Sequence, residues 1–456
     1  MNKSGKYEID MCNGPLVGKI IRFTIPLILT SVLQLLFNAA DIVVVGRFAG
    51  KEAMAAVGST GALINLIINV LMGLSIGTSV LVARYYGAND PERVSSAVHT
   101  SIAISVVGGV LIGVLGIGIC RPMLEIMGTP EDVIDGAELY MRIYFAGFPV
   151  IALYNFGASV LRAVGDTRRP LYFLLIAGVV NVLMNLVCVI GLKMGVAGVA
   201  VPTVVSQLIS AALVTLCLVR SESSIRLHLK KLKIDGGTMK EMLRIGLPAG
   251  VQGSVFSISN VIIQSSINYF GSVAVAGNSA AGNLEGFVYV IMNSFYQAAL
   301  NFTGQNMGAG KLDRVKKTLY ACVGMVTIAG VVSGVGVWLL GMPLSSIYST
   351  DPEVIAYSTK RLAYVCAPYF ICGIMDTMVG MMRGLGYSIA PMLVSMIGVC
   401  GVRLGWIYTI FAEHKTLETL YISYPISWAV TALVHIACFI WAYRKAKRNM
   451  PLRQQA

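Results

Sequence analysis

Long apolar runs separated by short polar segments make up most of this chain. A membrane-spanning helix needs about 20 mostly apolar residues, and twelve runs reach that length. The runs cover residues 16–43, 54–82, 97–120, 139–161, 170–191, 195–219, 243–269, 274–303, 318–341, 358–382, 390–411 and 420–443. The pattern therefore predicts an all-α polytopic membrane protein with twelve transmembrane helices.

The second half of the chain repeats the first half. At an offset of 221 residues, 53–170 aligns with 274–391 without a gap. The shared residues mark loop corners and charges, and they include Gly87 with Gly308, Arg93 with Arg314, Arg162 with Arg383, and Gly165 with Gly386. Each half holds six spans, so both halves enter the membrane in the same direction. This predicts two pseudo-symmetric six-helix lobes.

The duplication also predicts the domain organisation. We expect an N-lobe at 1–225, a basic cytoplasmic linker at 226–242 and a C-lobe at 243–456. Duplicated transporters place substrate and ion sites at or near the repeat interface. We therefore expect a substrate cavity between the lobes.

Composition supports a lipid environment. Only 12% of the 456 residues are charged and 56% are hydrophobic, whereas soluble proteins carry roughly 25% charged residues. The nine cysteines include no C-x-x-C pair, so we interpret them as small core residues rather than metal ligands. These features exclude a cytosolic enzyme, a disordered protein and a secreted disulfide scaffold.

The net charge of +13 fits an orientation signal. Its densest basic stretch, 220–244, joins the two halves, and placing it with both termini in the cytoplasm satisfies the positive-inside rule. Lipid headgroups explain this stretch without a nucleic-acid partner. The polar leader 1–15 lacks a small-residue cleavage site and is not expected to be a removable signal peptide. We expect a monomer in the plasma membrane, that is, the inner membrane of the cell.

No enzyme motif is present. The four histidines lack metal-ligand spacing, and the chain has no phosphate-binding loop for ATP. We therefore expect a non-enzymatic protein without a cofactor, which takes its energy from an ion gradient.

Three carboxylates, Asp41, Glu285 and Asp376, lie well inside predicted spans. Such costly groups are functional candidates by default. Asp41 shares a helix face with two amides, and spans five and six carry further polar groups at four-residue spacing. The amide and hydroxyl candidates are Gln34, Asn38, Asn181, Asn185 and Thr203. One carboxylate among amide and hydroxyl oxygens suits Na⁺ or a proton, which compete for the same group, and no other metal is expected.

Span eight carries a polar stripe that begins at Glu285. The stripe continues with Asn293 and Gln297 and cannot face lipid, so we expect it to line a water-filled cleft. Under the repeat, Asp376 corresponds to Asn155, and we expect both positions to face the substrate cavity, one of them ionised. Ring faces attract lipophilic cations, and the candidates that complete the substrate cavity are Phe37, Tyr154 and Tyr289. The alternative role for Glu285 and Asp376 is an ion pair with a buried arginine such as Arg403.

Six motifs carry a family resemblance, and four of them form two repeated pairs. The two motifs near the start are I-P-L-I-L-T-S-V-L-Q and N-A-A-D-I-V-V-V-G-R-F-A-G. The first pair is Y-Y-G-A-N-D-P-E-R-V with N-M-G-A-G-K-L-D-R-V, and the second pair is L-R-A-V-G-D-T-R-R-P with M-R-G-L-G-Y-S-I-A-P. With them the chain resembles, over nearly its whole length, the multidrug and toxic compound extrusion (MATE) family. That family belongs to a superfamily that also contains polysaccharide and lipid flippases.

The resemblance implies an antiporter that expels small organic, often cationic, compounds in exchange for H⁺ or Na⁺. It implies a cation site at the positions of Asp41, Asn181 and Thr203, and a second acid is often found where this chain has Asn185. It also implies bending of the first helix, which makes Pro26 a candidate hinge.

Three rival functions remain. A flippase for a lipid-linked saccharide would be expected to have a more cationic cavity, and Arg403 is the only base placed clearly within a predicted span. A narrow-specificity metabolite exporter fits the same architecture. A non-transporting scaffold or receptor is disfavoured by the buried acids and polar stripes.

Overall fold

The computed structural model describes residues 7–453, and every regular element within that range is helical. The α-helices are α1 Leu16–Phe48, α2 Lys51–Gly87, α3 Pro91–Ile126, α4 Glu131–Ala146, α5 Phe148–Ala163, α6 Arg168–Leu186, α7 Ala197–Val219, α8 Gly236–Asn268, α9 Ser272–Gly308, α10 Leu312–Leu339, α11 Gly341–Ser346, α12 Pro352–Arg361, α13 Tyr369–Gly384, α14 Ile389–Ser395, α15 Val402–Tyr408, α16 Ile410–Glu413 and α17 Leu417–Arg453. Short π-helical segments follow α6, α12 and α14, at Val187–Gly191, Leu362–Cys366 and Met396–Gly401.

The predicted all-α polytopic fold is confirmed. Among the described residues, nine helical segments are long and apolar enough to cross a membrane. Two further spans are bent pairs: α4 with α5 at 49°, and α12 with α13 at 44°. The remaining predicted span is α9, which at 37 residues is long enough to cross but carries the polar stripe that lowers its hydropathy.

The chain forms two compact units. The first contains the described residues up to Asp10 together with Leu29–Gly246; the second contains Met11–Ile28 and the chain from Leu247 onwards. Both α1 and α8 therefore contribute to both units, whereas the sequence assigned all of α1 to the N-lobe. The predicted lobe boundaries at 225 and 243 stay a prediction.

Backbone geometry repeats at the offset found in the sequence. The left-handed φ of 91° at Gly50 recurs as 87° at Gly271, and the φ of 91° at Gly165 recurs as 93° at Gly386. Glycine adopts this region at little cost, whereas a side chain would strain it. The two halves therefore share the turns that lead into α2 and α9, and those that lead into α6 and α14.

Helix packing repeats in the same way. In the first unit, a Cβ added to Gly109 would come within 2.6 Å of the Pro149 Cα. In the second unit, a Cβ on Gly330 would come within 2.7 Å of the Phe370 Cα. Small residues allow membrane helices to approach closely, so in each unit a glycine lets a long helix contact the bent span.

The basic linker between α7 and α8 is anchored to the first unit. Ile225 and Leu227 are fully buried, and the His228 N–H donates to His99 Nε2 at 3.0 Å. The linker ends at Asp235, which accepts a hydrogen bond of 2.8 Å from the Thr238 N–H at the start of α8. Hydrogen bonds from Thr238 lower the pKa of the Asp235 carboxyl below its usual range.

Candidate functional site

The first unit holds the Asp41 carboxylate against two buried amides. Asn185 Nδ2 on α6 donates to Asp41 Oδ1 on α1 at 2.5 Å and to Asn181 Oδ1 at 3.2 Å. Asn185 is fully buried and Asn181 is 5% exposed. The four-residue spacing of the two asparagines places both amides on one face of α6, so that face holds the carboxylate within the helix bundle.

One buried oxygen in this cluster lacks a hydrogen-bond partner within residues 7–453. Asn185 uses its amide nitrogen for both hydrogen bonds, and its Oδ1 atom is buried without a partner among the described residues. A buried amide oxygen is costly to leave without a donor or cation. The cluster therefore offers carboxylate and amide oxygens of the type that hard cations prefer.

The other predicted members of the cation site are placed differently. The Thr203 hydroxyl donates to the Val199 carbonyl of its own helix at 2.9 Å, which still leaves lone pairs on its oxygen. Gln34 and Asn38 are exposed within the described chain, and no contact of the described residues joins them to Asp41. The geometry therefore brings together Asp41, Asn181 and Asn185.

Tyr140 is a neighbour of Asp41 that the sequence analysis missed. Its phenol on α4 interacts electrostatically with the Asp41 carboxylate, and its ring stacks on Tyr144 at 6.4 Å. No spacing rule connects α1 with α4, so the sequence held no signal that selects this tyrosine among 20.

The predicted aromatic residues of the first unit are embedded. The Phe37 ring lies directly over Gly178 on α6, where a Cβ would overlap it. Tyr154 is 5% exposed, and Asn155 donates to the Ile151 carbonyl of its own helix at 2.8 Å. Phe37 thus positions α1 against α6 beside the carboxylate.

The second unit contains a buried ion pair. Arg361 donates to Glu285 Oε2 from Nη2 at 2.8 Å and from Nε at 3.2 Å, and its Nη1 donates to Asn278 Oδ1 at 2.7 Å. The side chains of Arg361 and Glu285 are 9% and 13% exposed. The sequence suggested a buried arginine such as Arg403 as an alternative partner; for Glu285 the buried arginine is instead Arg361, one turn into the predicted tenth span, because α12 packs on α9.

A cavity of about 140 Å³ lies within the second unit. Two of the predicted buried acids and one arginine line its walls, together with an amide and several aromatic residues. The lining residues include Asn260, Glu285, Tyr289, Tyr369, Asp376, Arg403 and Trp428. Asn293 Nδ2 donates to the Tyr289 hydroxyl at 3.4 Å, and Gln297 is half-buried further along α9. Of the predicted cavity residues, this pocket unites Glu285, Tyr289 and Asp376, whereas Asp41 belongs to the first unit.

Pro26 lies inside the continuous helix α1, two residues before the boundary between the two compact units. Within residues 7–453, no three His, Cys, Asp or Glu side chains cluster in a way that could hold a metal ion.

Comparison with known proteins decides the family. The sequence model of the MatE family matches residues 26–187 and 248–409, which is one match in each half. The chain belongs to the MatE family. MatE proteins are membrane transporters and not enzymes, which confirms the resemblance given by the motifs.

Individual relatives and solved structures agree with this assignment. The chain is 28% identical to the "Probable multidrug resistance protein YoeA" of Bacillus subtilis (strain 168), over 93% of both chains. It is 21% identical to a protein named "FAD transporter" of Shewanella oneidensis, over 81% of this chain and 82% of the relative. The fold matches the outward-facing conformation of a multidrug resistance MATE family transporter with a TM-score of 0.91 at 22% identity, over 98% of this chain and 100% of the other.

Proposed function

We propose that this MatE protein is a secondary active exporter that moves small organic, often cationic, compounds out of the cell against H⁺ or Na⁺. The observation that carries the proposal is the Asp41 carboxylate held by Asn185 and Asn181 in the first unit. A carboxylate within a membrane bundle is expensive and serves ion pathways and proton relays.

Asp41 would couple the ion to the cargo. Sodium and a proton cannot occupy one carboxylate together, so either ion changes the charge of this site. Occupation of Asp41 would shift the first unit towards a state with lower affinity for the cargo, and a ligand shifts such an equilibrium only by its differential affinity for the two states. Export of organic compounds fits the multidrug resistance names of the relatives.

The remaining assignments form part of the same proposal. Both termini would be cytoplasmic, and the chain would act as a monomer in the plasma membrane with lipids as its surroundings. It would need no cofactor, and H⁺ or Na⁺ would be its coupling ion. Pro26 would provide the bend in α1. Nucleic acid has no part in this function.

Transport into inside-out vesicles tests the proposal. A fluorescent lipophilic cation, ethidium, is added outside the vesicles while a pH gradient and a Na⁺ gradient are imposed separately. We expect uptake under one of the gradients and its loss in Asp41→Asn at equal expression. Asp313→Asn, at the start of α10, is the matched control and should transport normally. Unchanged uptake in Asp41→Asn would remove this carboxylate from the mechanism.

A narrow-specificity metabolite exporter is the second candidate. It is favoured by the relative named FAD transporter, which aligns over four fifths of both chains. Gradient-driven uptake of a metabolite without uptake of ethidium would favour it. A flippase for a lipid-linked saccharide gains less support, because Glu285 compensates Arg361 and leaves Arg403 as the base beside the cavity.

A further inference from the structure

Three charged side chains line the cavity of the second unit: the acids Glu285 and Asp376 and the base Arg403. Glu285 is compensated by the ion pair with Arg361. The Asp376 carboxylate interacts electrostatically with the buried Arg383. No ion pair or hydrogen bond from the described residues reaches this carboxylate or the two Nη groups of Arg403, although both side chains line the same cavity. Charged groups that lack hydrogen-bonding partners are costly at low exposure, so a ligand that forms a hydrogen-bonded ion pair with each of them would stabilise them.

The fold presents Arg403 in one fixed orientation. Its guanidinium carbon lies 4.1 Å from the Tyr424 ring centroid and 5.5 Å from that of Trp428, and its Nε donates to Ser427 Oγ at 2.9 Å. The two rings contact the guanidinium group, and the hydrogen bond to Ser427 uses its Nε. The two Nη groups therefore stay available to bind a ligand. A planar fork of this kind matches a carboxylate.

Asp376 supplies the opposite charge on α13. Its carboxylate interacts electrostatically with the Tyr289 phenol, and Tyr289 itself is 43% exposed. Asn260, also in the cavity wall, is exposed as well. The cavity is therefore reachable from the surface of the second unit, and a ligand need not open the packed core.

Size restricts what fits between the two charges. A cavity of about 140 Å³ is small beside the several hundred Å³ of a typical ligand pocket, so it admits a small head group rather than a whole drug-sized molecule. The amino, α-carbon and carboxylate atoms of an α-amino acid have that size. Aromatic faces from Tyr289, Tyr369 and Trp428 surround the same space and favour a cationic or aromatic continuation.

We propose that this cavity binds the head group of an organic zwitterion of amino-acid type, with its ammonium group on Asp376 and its carboxylate on Arg403. This assignment narrows the substrate class of the proposed exporter. Its biological role, the export of such a zwitterion, rests on the proposed function. The binding itself depends only on the second unit.

Binding to the purified full chain in lipid nanodiscs, measured by calorimetry without an ion gradient, tests the proposal. The probes are phenylalanine, its methyl ester, which lacks the negative charge, and N-acetylphenylalanine, which lacks the positive charge. We expect phenylalanine to bind about tenfold or more tightly than either derivative, because each derivative leaves one charge of the cavity without a partner.

Two variants assign the charges. Asp376→Asn should abolish the preference for phenylalanine over its N-acetyl derivative, and Arg403→Gln should abolish the preference over the ester. Asp313→Asn and Arg444→Gln, outside the cavity, are the matched controls. Because Arg403 packs against two rings, thermal unfolding of each variant checks its fold, and Arg403→Lys should retain part of the preference over the ester.

Several outcomes would overturn the proposal. They are equal binding of the three probes, ester binding as tight as that of phenylalanine, which would mean a simple cation site, and no binding at all. Failure of the exporter proposal gives a different result: neither gradient drives uptake of ethidium or of phenylalanine into the vesicles, while the charge-dependent binding of phenylalanine to the purified protein persists.

Discussion

At the scale of single residues, the candidate cation site of the first unit consists of one carboxylate and two amides. Asp41 stands out in the sequence because an acid within an apolar run is costly. Asn181 and Asn185 stand out because their spacing puts both on one face of a helix. The direct bond from Asn185 to Asp41 joins residues 144 positions apart, and such a pairing has no periodicity. Tyr140 was missed for the same reason.

Gly178 gives a test of how Phe37 positions the carboxylate. Gly178→Ala should force the Phe37 ring away from α6, because the new Cβ would occupy the position of the ring. We expect a loss of about 1–3 kcal/mol in the free energy of unfolding and reduced gradient-driven uptake, measured by thermal unfolding and by the vesicle assay.

The control for this variant is Gly118→Ala on α3, where an added Cβ meets open space. It should leave stability and uptake unchanged or slightly improve stability, because alanine favours helix more than glycine does. Equal effects of the two substitutions would show that contact between Phe37 and Gly178 does not position α1.

At the scale of helices, the hydrophobic pattern located the spans but not their internal breaks. The fourth and tenth spans bend by 49° and 44°, each at a point where a glycine of the neighbouring long helix allows close contact. The sequence predicted each of them as one continuous span, because the length of an apolar run does not show where a helix changes direction. The eighth span was located by its length and polar stripe, although its hydropathy alone falls short.

Mutation can test the ion pair between Glu285 on α9 and Arg361 on α12 directly. Glu285→Gln leaves the buried Arg361 without its counter-ion, and we expect a loss of about 3–5 kcal/mol in the free energy of unfolding. Glu418→Gln is the control, because the Lys360–Glu418 pair is 42% and 40% exposed, and surface pairs contribute about 1 kcal/mol or less.

A double replacement separates structure from transport at the same pair. Glu285→Gln combined with Arg361→Met removes both charges and should recover much of the lost stability. If Glu285→Gln alone unfolds at the same temperature as the parent protein while transport is lost, Glu285 acts on the cargo rather than on helix packing.

At the scale of the whole molecule, ion occupancy at Asp41 should affect the stability of the entire chain. A ligand that binds only the folded state stabilises it in proportion to the logarithm of its concentration. If Na⁺ is the coupling ion, we expect Na⁺ to raise the melting temperature at alkaline pH and to lose this effect as the pH falls, because protons then occupy the carboxylate.

Choline chloride at equal ionic strength is the control, since choline is too large for a site built from single oxygens. Asp41→Asn should abolish the response to Na⁺. A shift of the same size in Asp41→Asn would place the ion elsewhere, and the absence of a shift at every pH would assign the coupling to H⁺.

The sequence by itself determined that the chain lies in a lipid environment, how many spans it has, that its two halves are duplicated and to which family it belongs. These features depend on hydropathy and on spacing along the chain. It also identified Asp41, Glu285 and Asp376, since an acid among apolar residues is recognisable without a fold. Only the tertiary structure decided their partners: Asn185 for Asp41, Arg361 for Glu285, and a cavity shared with Arg403 for Asp376. These pairings join helices far apart in the chain, and packing of whole helices, rather than local periodicity, brings them together.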